Sequence, residues 1–200
     1  MKSKAPPKKS DKVEQTGVPD LTTAARRLGL RQVLRVKGCG KLLVRPIIPA
    51  DEPLMVQFHQ ALSEETIYNR YFEHITLESR TKHDRLTKIC TNDEGSFALV
   101  AARSATEKQP AAILAVGRLS GTEEPKKVDF ALLVNDKAQG RGIGSALMKQ
   151  LLALACACGY RRLIGEVLVA NHEMLYVCRQ FGFSLHHQAD DGLIQVELDL

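Results

Sequence analysis

The sequence contains no apolar stretch long enough to cross a membrane. Its longest apolar helical segment, Leu151–Cys158, has eight residues, whereas a membrane span needs about 20. No apolar run follows the charged N-terminal residues, so the sequence shows no export signal. The five cysteines are an odd number. Without an export signal they are expected to stay reduced, so we expect a cytoplasmic protein without a membrane partner.

The sequence also lacks a charge excess in its main part. Residues 1–12 hold five lysines and one aspartate, which is most of the net charge of +5. The other 188 residues are nearly balanced, with 23 basic and 22 acidic side chains. A nucleic-acid-binding domain normally carries a basic face, so no specific nucleic-acid partner is expected. The 200 residues, 44% of them hydrophobic, suffice for one ordinary domain with an appendage but not for an eight-fold α/β barrel.

Three segments follow from composition and periodicity. Residues 1–20 are rich in Lys, Pro, Ser and Asp, which is typical of a disordered tail. Leu21–Leu34 shows helical spacing of apolar residues, broken at Gly29, so residues 21–40 are interpreted as a short helical extension. The main domain is expected to span residues 41–200.

Within the main domain, strand and helix patterns follow one another in a definite order: strand, two helices, three strands, helix, strand, helix, two strands. The predicted strands are Leu42–Ile47, Phe97–Arg103, Ala111–Leu119, Val128–Val134, Leu163–Leu168, Phe183–His187 and Leu193–Leu200. The predicted helices cover residues 51–62, 63–74, 143–158 and 171–181, with a short helical piece at 81–90. A turn is expected at Asp190-Asp191-Gly192.

The segment Gln139-Gly140-Arg141-Gly142-Ile143-Gly144 lies between a predicted strand and the most strongly periodic helix. Its glycines allow a tight turn and a close approach of the backbone to a ligand. The first turn of the following helix has unpaired N–H groups and a partial positive charge, which together favour a phosphate. Arg141 could clamp that phosphate. A nucleotide P-loop would need a terminal Gly-Lys-Ser/Thr, and the dinucleotide pattern would need glycine at position 145, which is Ser.

This Gln-x-x-Gly-x-Gly loop resembles the acyl-CoA pyrophosphate loop of GNAT N-acetyltransferases. The order of the elements is similar to that family, and so is Asn171 followed by Gly182-Phe183. The resemblance implies an α/β (α+β) GNAT fold, with a mixed, mostly antiparallel sheet of about seven strands flanked by about four helices. It also implies acetyl-CoA as the donor. No cysteine or histidine grouping has the spacing of metal ligands, so no metal is expected.

A narrower resemblance points to the acetyltransferase domain of Pat-type bacterial protein lysine acetyltransferases. Those enzymes acetylate lysines of acyl-CoA synthetases and other proteins. The similar segments are Arg45-Pro46-Ile47, Asp51–Met55, Leu62–Phe72, Asp129-Phe130-Ala131, Gly165–Leu168 and Asn171–Leu175. The resemblance implies a protein lysine as acceptor, with an acyl-CoA synthetase as one candidate.

The resemblance also implies roles for individual residues. Asp129 stands where the Pat-type family has a catalytic Glu, so it is the favoured base, and Glu166 in an apolar strand is the second candidate. An N–H near Val134 would stabilise the oxyanion. The implied donor-binding residues are Leu132, Leu133 and Val134 along the pantetheine, Gln139, Gly140, Arg141, Gly142, Ile143, Gly144 and Ser145 around the pyrophosphate, and Asn171.

Each assignment has a plainer alternative. Asp129 could be an exposed acid that begins a strand, and Asn171 could serve only as a helix cap. Cys178 occupies the position of the general-acid Tyr in many GNAT enzymes; core packing is the favoured interpretation and thiol donation the alternative. The segment Tyr68–Phe72 could bind the acceptor or simply pack on the sheet. Acceptors other than proteins, such as small amines, also fit the sequence, and so does a catalytically silent acyl-CoA-binding module.

Overall fold

The computed structural model describes residues 20–107, 109–187 and 192–200. The expected tail, except for Asp20, and Asp190-Asp191 of the expected turn lie outside these residues. The strands are β1 (Gln32–Val36), β2 (Gly40–Pro46), β3 (Ser96–Arg103), β4 (Ala112–Gly121), β5 (Lys127–Val134), β6 (Arg162–Leu168), β7 (Ser184–His187) and β8 (Leu193–Asp199). The helices are α1 (Leu21–Leu28), α2 (Glu52–Gln60), α3 (Glu64–Tyr71), α4 (Leu77–Thr81), α5 (His83–Cys90), α6 (Ile143–Ala157) and α7 (His172–Gln180), with short 3-10 turns at Pro49–Asp51 and Asp136–Ala138.

The eight strands form a single sheet in the order β1-β2-β3-β4-β5-β6-β8-β7. Every pair of neighbours is antiparallel except β5 and β6, which run parallel. The predicted mixed, mostly antiparallel sheet is therefore confirmed. The described residues contain one more strand and three more α-helices than the approximate numbers expected from the sequence.

The additional strand arises within Leu21–Leu34, where the sequence predicted a short helix broken at Gly29. Asp20 caps α1 by accepting hydrogen bonds from the N–H groups of Thr22 and Thr23. Gly29 then adopts a left-handed conformation, with φ at +57°, and ends the helix. The predicted break at Gly29 is where the helix ends. The helical interpretation of the residues after it is wrong, because Gln32–Val36 form β1 and pair with β2 in a hairpin.

Helices cover both faces of the sheet. One buried cluster unites the sheet with α1, α6 and α7, and it includes Leu21 of α1 and Leu147 of α6. The cluster on the other face unites the sheet with α2, α3 and α5, and it includes Phe58 and Leu86. Both faces of β3 are buried, as expected for a central strand. None of the described helices is both long enough and apolar enough to span a membrane.

The sheet splits between β5 and β6. These strands pair only over Lys127–Asp129 of β5 and Arg162–Ile164 of β6. Beyond that point β5 stays bonded to β4, while β6 follows β8. Phe130 packs against Gly165 across the split, where an added Cβ would lie 2.7 Å from the Phe130 ring. A side chain at position 165 would therefore displace the Phe130 ring. The two strands separate directly after Asp129.

Candidate active site

The glycine-rich loop turns directly into the N-terminus of α6. Gly140 and Gly142 have φ values of +66° and +79°, a left-handed conformation that only glycine adopts without strain. The N-cap residue Gly142 offers no side chain, and the first turn of α6 contains no acidic residue. The first N–H groups of α6 therefore remain available for an anion. Gly144 allows α6 to approach β5 closely, because an added Cβ would lie 3.3 Å from Leu132.

A cavity of about 810 Å³ lies in front of this helix terminus. Its volume is in the range of sites that enclose a small-molecule ligand. The cavity brings together all but one of the predicted donor-binding residues, namely Leu132, Leu133, Val134, Gln139, Gly140, Gly142, Ile143, Gly144, Ser145 and Asn171. We call it the donor cavity.

The exception is Arg141. Its guanidinium donates a hydrogen bond to the Lys37 carbonyl in the β1–β2 turn. Gly38 in that turn leaves room for this contact, since an added Cβ would lie 2.4 Å from Arg141 Nη1. Arg141 is not among the residues that line the donor cavity. The structure thus places this side chain against the β1–β2 turn, and its role as a phosphate clamp stays a prediction.

Gln139 connects the loop to two other elements. Its side-chain amide donates to the Val134 carbonyl and to Thr66 Oγ1, each at 3.1 Å. Thr66 Oγ1 in turn donates to Asp136 Oδ1 at 2.8 Å, and Asp136 also accepts a bond from the Ser63 N–H at 3.0 Å. Burial opposes ionisation of Asp136, but these hydrogen bonds outweigh it and lower its pKa. Sequence analysis missed this network, whose members lie about 70 residues apart.

A smaller cavity of about 390 Å³ adjoins the donor cavity where the sheet splits. It contains both candidate bases, Asp129 and Glu166, together with Gln195. We call it the acceptor cavity. The two cavities have five lining residues in common: Asn69, Arg70, Leu132, Asn171 and Met174.

Asp129 is half-buried at the base of the split. Burial raises the pKa of its carboxyl to about 6, the nearby charge of Arg70 acts to lower it, and that of Glu166 acts to raise it. Asp129 pairs with Ile164, so it lies on the same face of the sheet as Ile164 and Glu166. A carboxylate whose pKa is close to neutral is suited to accept a proton in a catalytic step.

The backbone of β5 offers hydrogen-bond donors to the gap. The Asn135 N–H donates to the Leu114 carbonyl across the ladder between β4 and β5. Because N–H directions alternate along an antiparallel pair, those of Leu132 and Val134 point away from β4 and toward the open side. The predicted oxyanion donor near Val134 is consistent with this arrangement.

Two residues of α7 help to distinguish the alternatives left open by the sequence. Asn171 caps α7, since its Oδ1 accepts a hydrogen bond from the Met174 N–H at 3.1 Å, and it also lines both cavities. Capping and ligand contact are therefore compatible. Cys178 is buried in the core, and burial raises its pKa to about 12. This position favours core packing over thiol donation.

Comparison with known proteins identifies the family. The model of the acetyltransferase (GNAT) family matches residues 57–183. The chain belongs to the GNAT acetyltransferase family. The resemblance noted from the sequence is thus confirmed, and with it the assignment as an N-acetyltransferase enzyme, of a family that uses acetyl-CoA. The part of the chain that the structure describes contains no cluster of three potential metal ligands, and a reaction without metal stays a prediction.

Several relatives carry the same chemistry in their names. The GNAT domain of S. lividans PAT has 27% sequence identity and a TM-score of 0.74, covering 86% of this chain and 98% of that one. Acetyltransferase Pat from Mycolicibacterium smegmatis is 27% identical over 78% of this chain. This GNAT chain spans only 45% of that relative's length. Acetyltransferase PA5475 from Pseudomonas aeruginosa is 25% identical over 76% of this chain and 79% of its own length.

Proposed function

We propose that this GNAT enzyme transfers the acetyl group of acetyl-CoA to lysine side chains of proteins, with an acyl-CoA synthetase as one acceptor. One observation carries the proposal: the donor cavity, with the glycine loop beside it, meets the acceptor cavity and Asp129 where β5 and β6 separate. The similarity to Pat and to the PAT GNAT domain supports a protein lysine as the acceptor.

The donor would lie along β5. Its pyrophosphate would accept hydrogen bonds from the first N–H groups of α6, where the helix carries a partial positive charge. The pantetheine would extend past Leu132–Val134 and Asn171, and its amides could bond to the free edge of β5 like an additional strand. The thioester would then lie at the junction of the two cavities.

The acceptor amine has to lose a proton before it can attack. A lysine ammonium has a pKa of about 10.4, so a neutral amine near pH 7 costs roughly 4–5 kcal/mol. Asp129 would accept this proton, directly or through a bridging water, because an aspartate is one methylene shorter than the Glu of the Pat-type family. Glu166, which is exposed at the same cavity, is the second candidate base.

The transfer then has two bond changes. The amine nitrogen forms a bond to the thioester carbon, and the developing oxyanion would receive hydrogen bonds from β5, with the Val134 N–H as the nearest candidate. The carbon–sulfur bond then breaks and coenzyme A leaves as a thiolate, which takes a proton from solvent. The proton removed from the amine passes from Asp129 to solvent, so no group on the enzyme is consumed.

A second candidate is acetylation of a small amine. The acceptor cavity, at about 390 Å³, is large enough to enclose one. The two candidates share the donor site and the base, and they differ only in the acceptor.

The test is release of coenzyme A thiol from acetyl-CoA, with a purified acyl-CoA synthetase as acceptor and mass spectrometry to locate the acetyl group. We expect acceptor-dependent release and a modified lysine. The variant Asp129→Asn should lose this activity while still binding acetyl-CoA, and Glu166→Gln should retain most of it.

Three other outcomes would contradict the proposal. Thiol release with a panel of small amines, but not with proteins, would make the small-amine candidate correct. Tight binding of acetyl-CoA without turnover on any acceptor would indicate a silent acyl-CoA-binding module. Full activity in Asp129→Asn, combined with loss of activity in Glu166→Gln, would assign the base to Glu166.

A further inference from the structure

Arg70 occupies the junction of the two cavities. It lies in the last turn of α3 and is one of the five residues that line both the donor and the acceptor cavity. The other four residues of that group are uncharged. A fixed positive charge therefore lies beside the place where the thioester, the amine and Asp129 would meet.

Arg70 contacts an aromatic ring, but no carboxylate of the described residues compensates its charge. Among the described residues it forms no ion pair with a carboxylate within 4.0 Å. Its guanidinium carbon lies 5.2 Å from the centre of the Tyr71 ring, a distance typical of a cation–π contact. Arg85 of α5 lies at the same distance from that ring but lines neither cavity.

We propose that Arg70 is a positioning residue of the transfer reaction, whose charge keeps Asp129 ionised and favours the neutral form of the approaching amine. This inference rests on the proposed function for the identity of the acceptor and of the base. A positive charge disfavours a second positive charge nearby and stabilises a carboxylate. Both effects act in the same direction, because an ionised Asp129 and a neutral amine, the two forms that react, are each kept down to a lower pH.

The other charged groups around Asp129 do not replace Arg70. Glu166 on β6 has the opposite sign and raises the pKa of Asp129. Arg118 on β4 shares the face of the sheet with Asp129, but its guanidinium donates to Ser96 Oγ and to the Ile89 carbonyl. Lys127 on β5 is paired with Glu124, and Arg162 on β6 is paired with Glu197 and Asp199. Among the described residues, Arg70 is thus the cation whose charge acts on Asp129 to lower its pKa.

The test compares three variants in the pH profile of kcat/KM for acetyl transfer. Arg70→Gln removes the charge, and we expect the acid limb to move upward by about one pH unit. Arg70→Lys keeps the charge and should hold the limb close to its original position. Arg85→Gln is the matched control, because it removes an equal charge from the same aromatic ring at a site outside both cavities, and it should leave the limb unchanged.

A second measurement separates this inference from the proposed function. The Asp129 carboxyl of the free protein can be titrated by ¹³C NMR, with its signal assigned from the Asp129→Asn spectrum. In Arg70→Gln the midpoint of that titration should rise, and in Arg85→Gln it should not. An unchanged midpoint in folded Arg70→Gln, together with an unchanged acid limb, would overturn the role of Arg70. A raised midpoint in a protein that acetylates no lysine would leave the role intact and contradict the proposed function.

Discussion

If Asp129 is the base, as proposed, its carboxyl determines how the activity should depend on pH. Burial raises its pKa to about 6, and only the ionised form can accept the proton of the amine. We therefore expect kcat/KM to rise as the pH increases through about 6. The variant Asp129→Asn should abolish this acid limb and lower the rate by about 100-fold or more. The measurement is thiol release between pH 5 and 8, with protein stability checked at each pH.

Glu166 provides a control for this assignment. Its negative charge raises the pKa of Asp129, so Glu166→Gln should move the acid limb to lower pH. At pH values above the limb, the rate of this variant should equal that of the parent protein. A limb that persists unchanged in Asp129→Asn would show that another group titrates.

A second titrating residue affects stability instead of activity. His59 of α2 is only 2% exposed, and neither ring nitrogen has a hydrogen-bond partner among the described residues. Burial lowers its pKa to about 4, and the charges of Arg80 and Arg85 act in the same direction. As the pH falls from about 6.5 to 4, the unfolded chain takes up a proton that the folded chain does not. We expect this histidine to cost about 3 kcal/mol of stability over that interval.

Urea unfolding of the parent protein and of His59→Phe at pH 7 and pH 5 isolates this effect. The variant should lose less stability on acidification than the parent. The comparison of variant with parent is needed because Asp129, with its raised pKa, contributes with the opposite sign. His83→Gln is the matched control. This exposed histidine forms a hydrogen bond with Glu52, which raises its pKa. Its removal should therefore not reduce the loss of unfolding free energy between pH 7 and pH 5. Equal losses in parent and His59→Phe would contradict the prediction.

At the scale of the element, the two ends of α6 allow the role of the glycine loop to be tested. Gly142 before the helix and Gly159 after it have similar φ values, +79° and +74°, and an added Cβ would meet nothing within 4 Å at either position. Alanine at each position should therefore cost a similar free energy of unfolding, about 1–2 kcal/mol. Only Gly142→Ala should also weaken acetyl-CoA binding, because Gly142 lines the donor cavity.

Calorimetric titration of the free protein with acetyl-CoA measures this difference. Equal affinities in Gly142→Ala and Gly159→Ala would mean that the donor does not bind at the start of α6.

The elements near the site were predictable where the signal is local. The periodic apolar face predicted a helix over 143–158, and the glycines predicted the turn before it. The structure has the helix at Ile143–Ala157, directly after Gly142, so the bounds agree within one residue. The course of Leu21–Leu34 was predictable only as far as the break at Gly29, since pairing with β2, which no local pattern shows, decided the conformation after it. The contacts of Gln139 and Arg141 were also beyond local patterns, because Thr66 and Lys37 come from distant parts of the chain.

At the scale of the whole molecule, α1 belongs to the core that it shares with α6. Leu21 is fully buried in the cluster that contains Leu147 and Leu151, whereas Leu28 at the other end of the same helix is 43% exposed. Leu21→Ala should cost about 2–5 kcal/mol, and Leu28→Ala should change the free energy of unfolding by about 0.5 kcal/mol or less. Denaturant unfolding of the two variants checks the difference.

The result bears on how the chain is divided. If Leu21→Ala proves as mild as Leu28→Ala, residues 21–40 act as the separate extension that composition and periodicity predicted. A large loss would make the segment part of the folding unit. The sequence could not distinguish these cases. A short amphipathic helix that packs into the core shows the same spacing of apolar residues as one that only lies against its surface.

The split of the sheet has a consequence for the order of events during turnover. Since the two cavities adjoin at the gap, acetyl-CoA and the amine can occupy the protein at the same time. None of the five cysteines lines either cavity, and Cys178, the one closest to Asn171 in the chain, is buried among apolar residues, so no thiol is placed to carry the acetyl group between two half-reactions. We therefore expect a ternary complex, with double-reciprocal plots that intersect, and no exchange of label between acetyl-CoA and coenzyme A unless an acceptor is present.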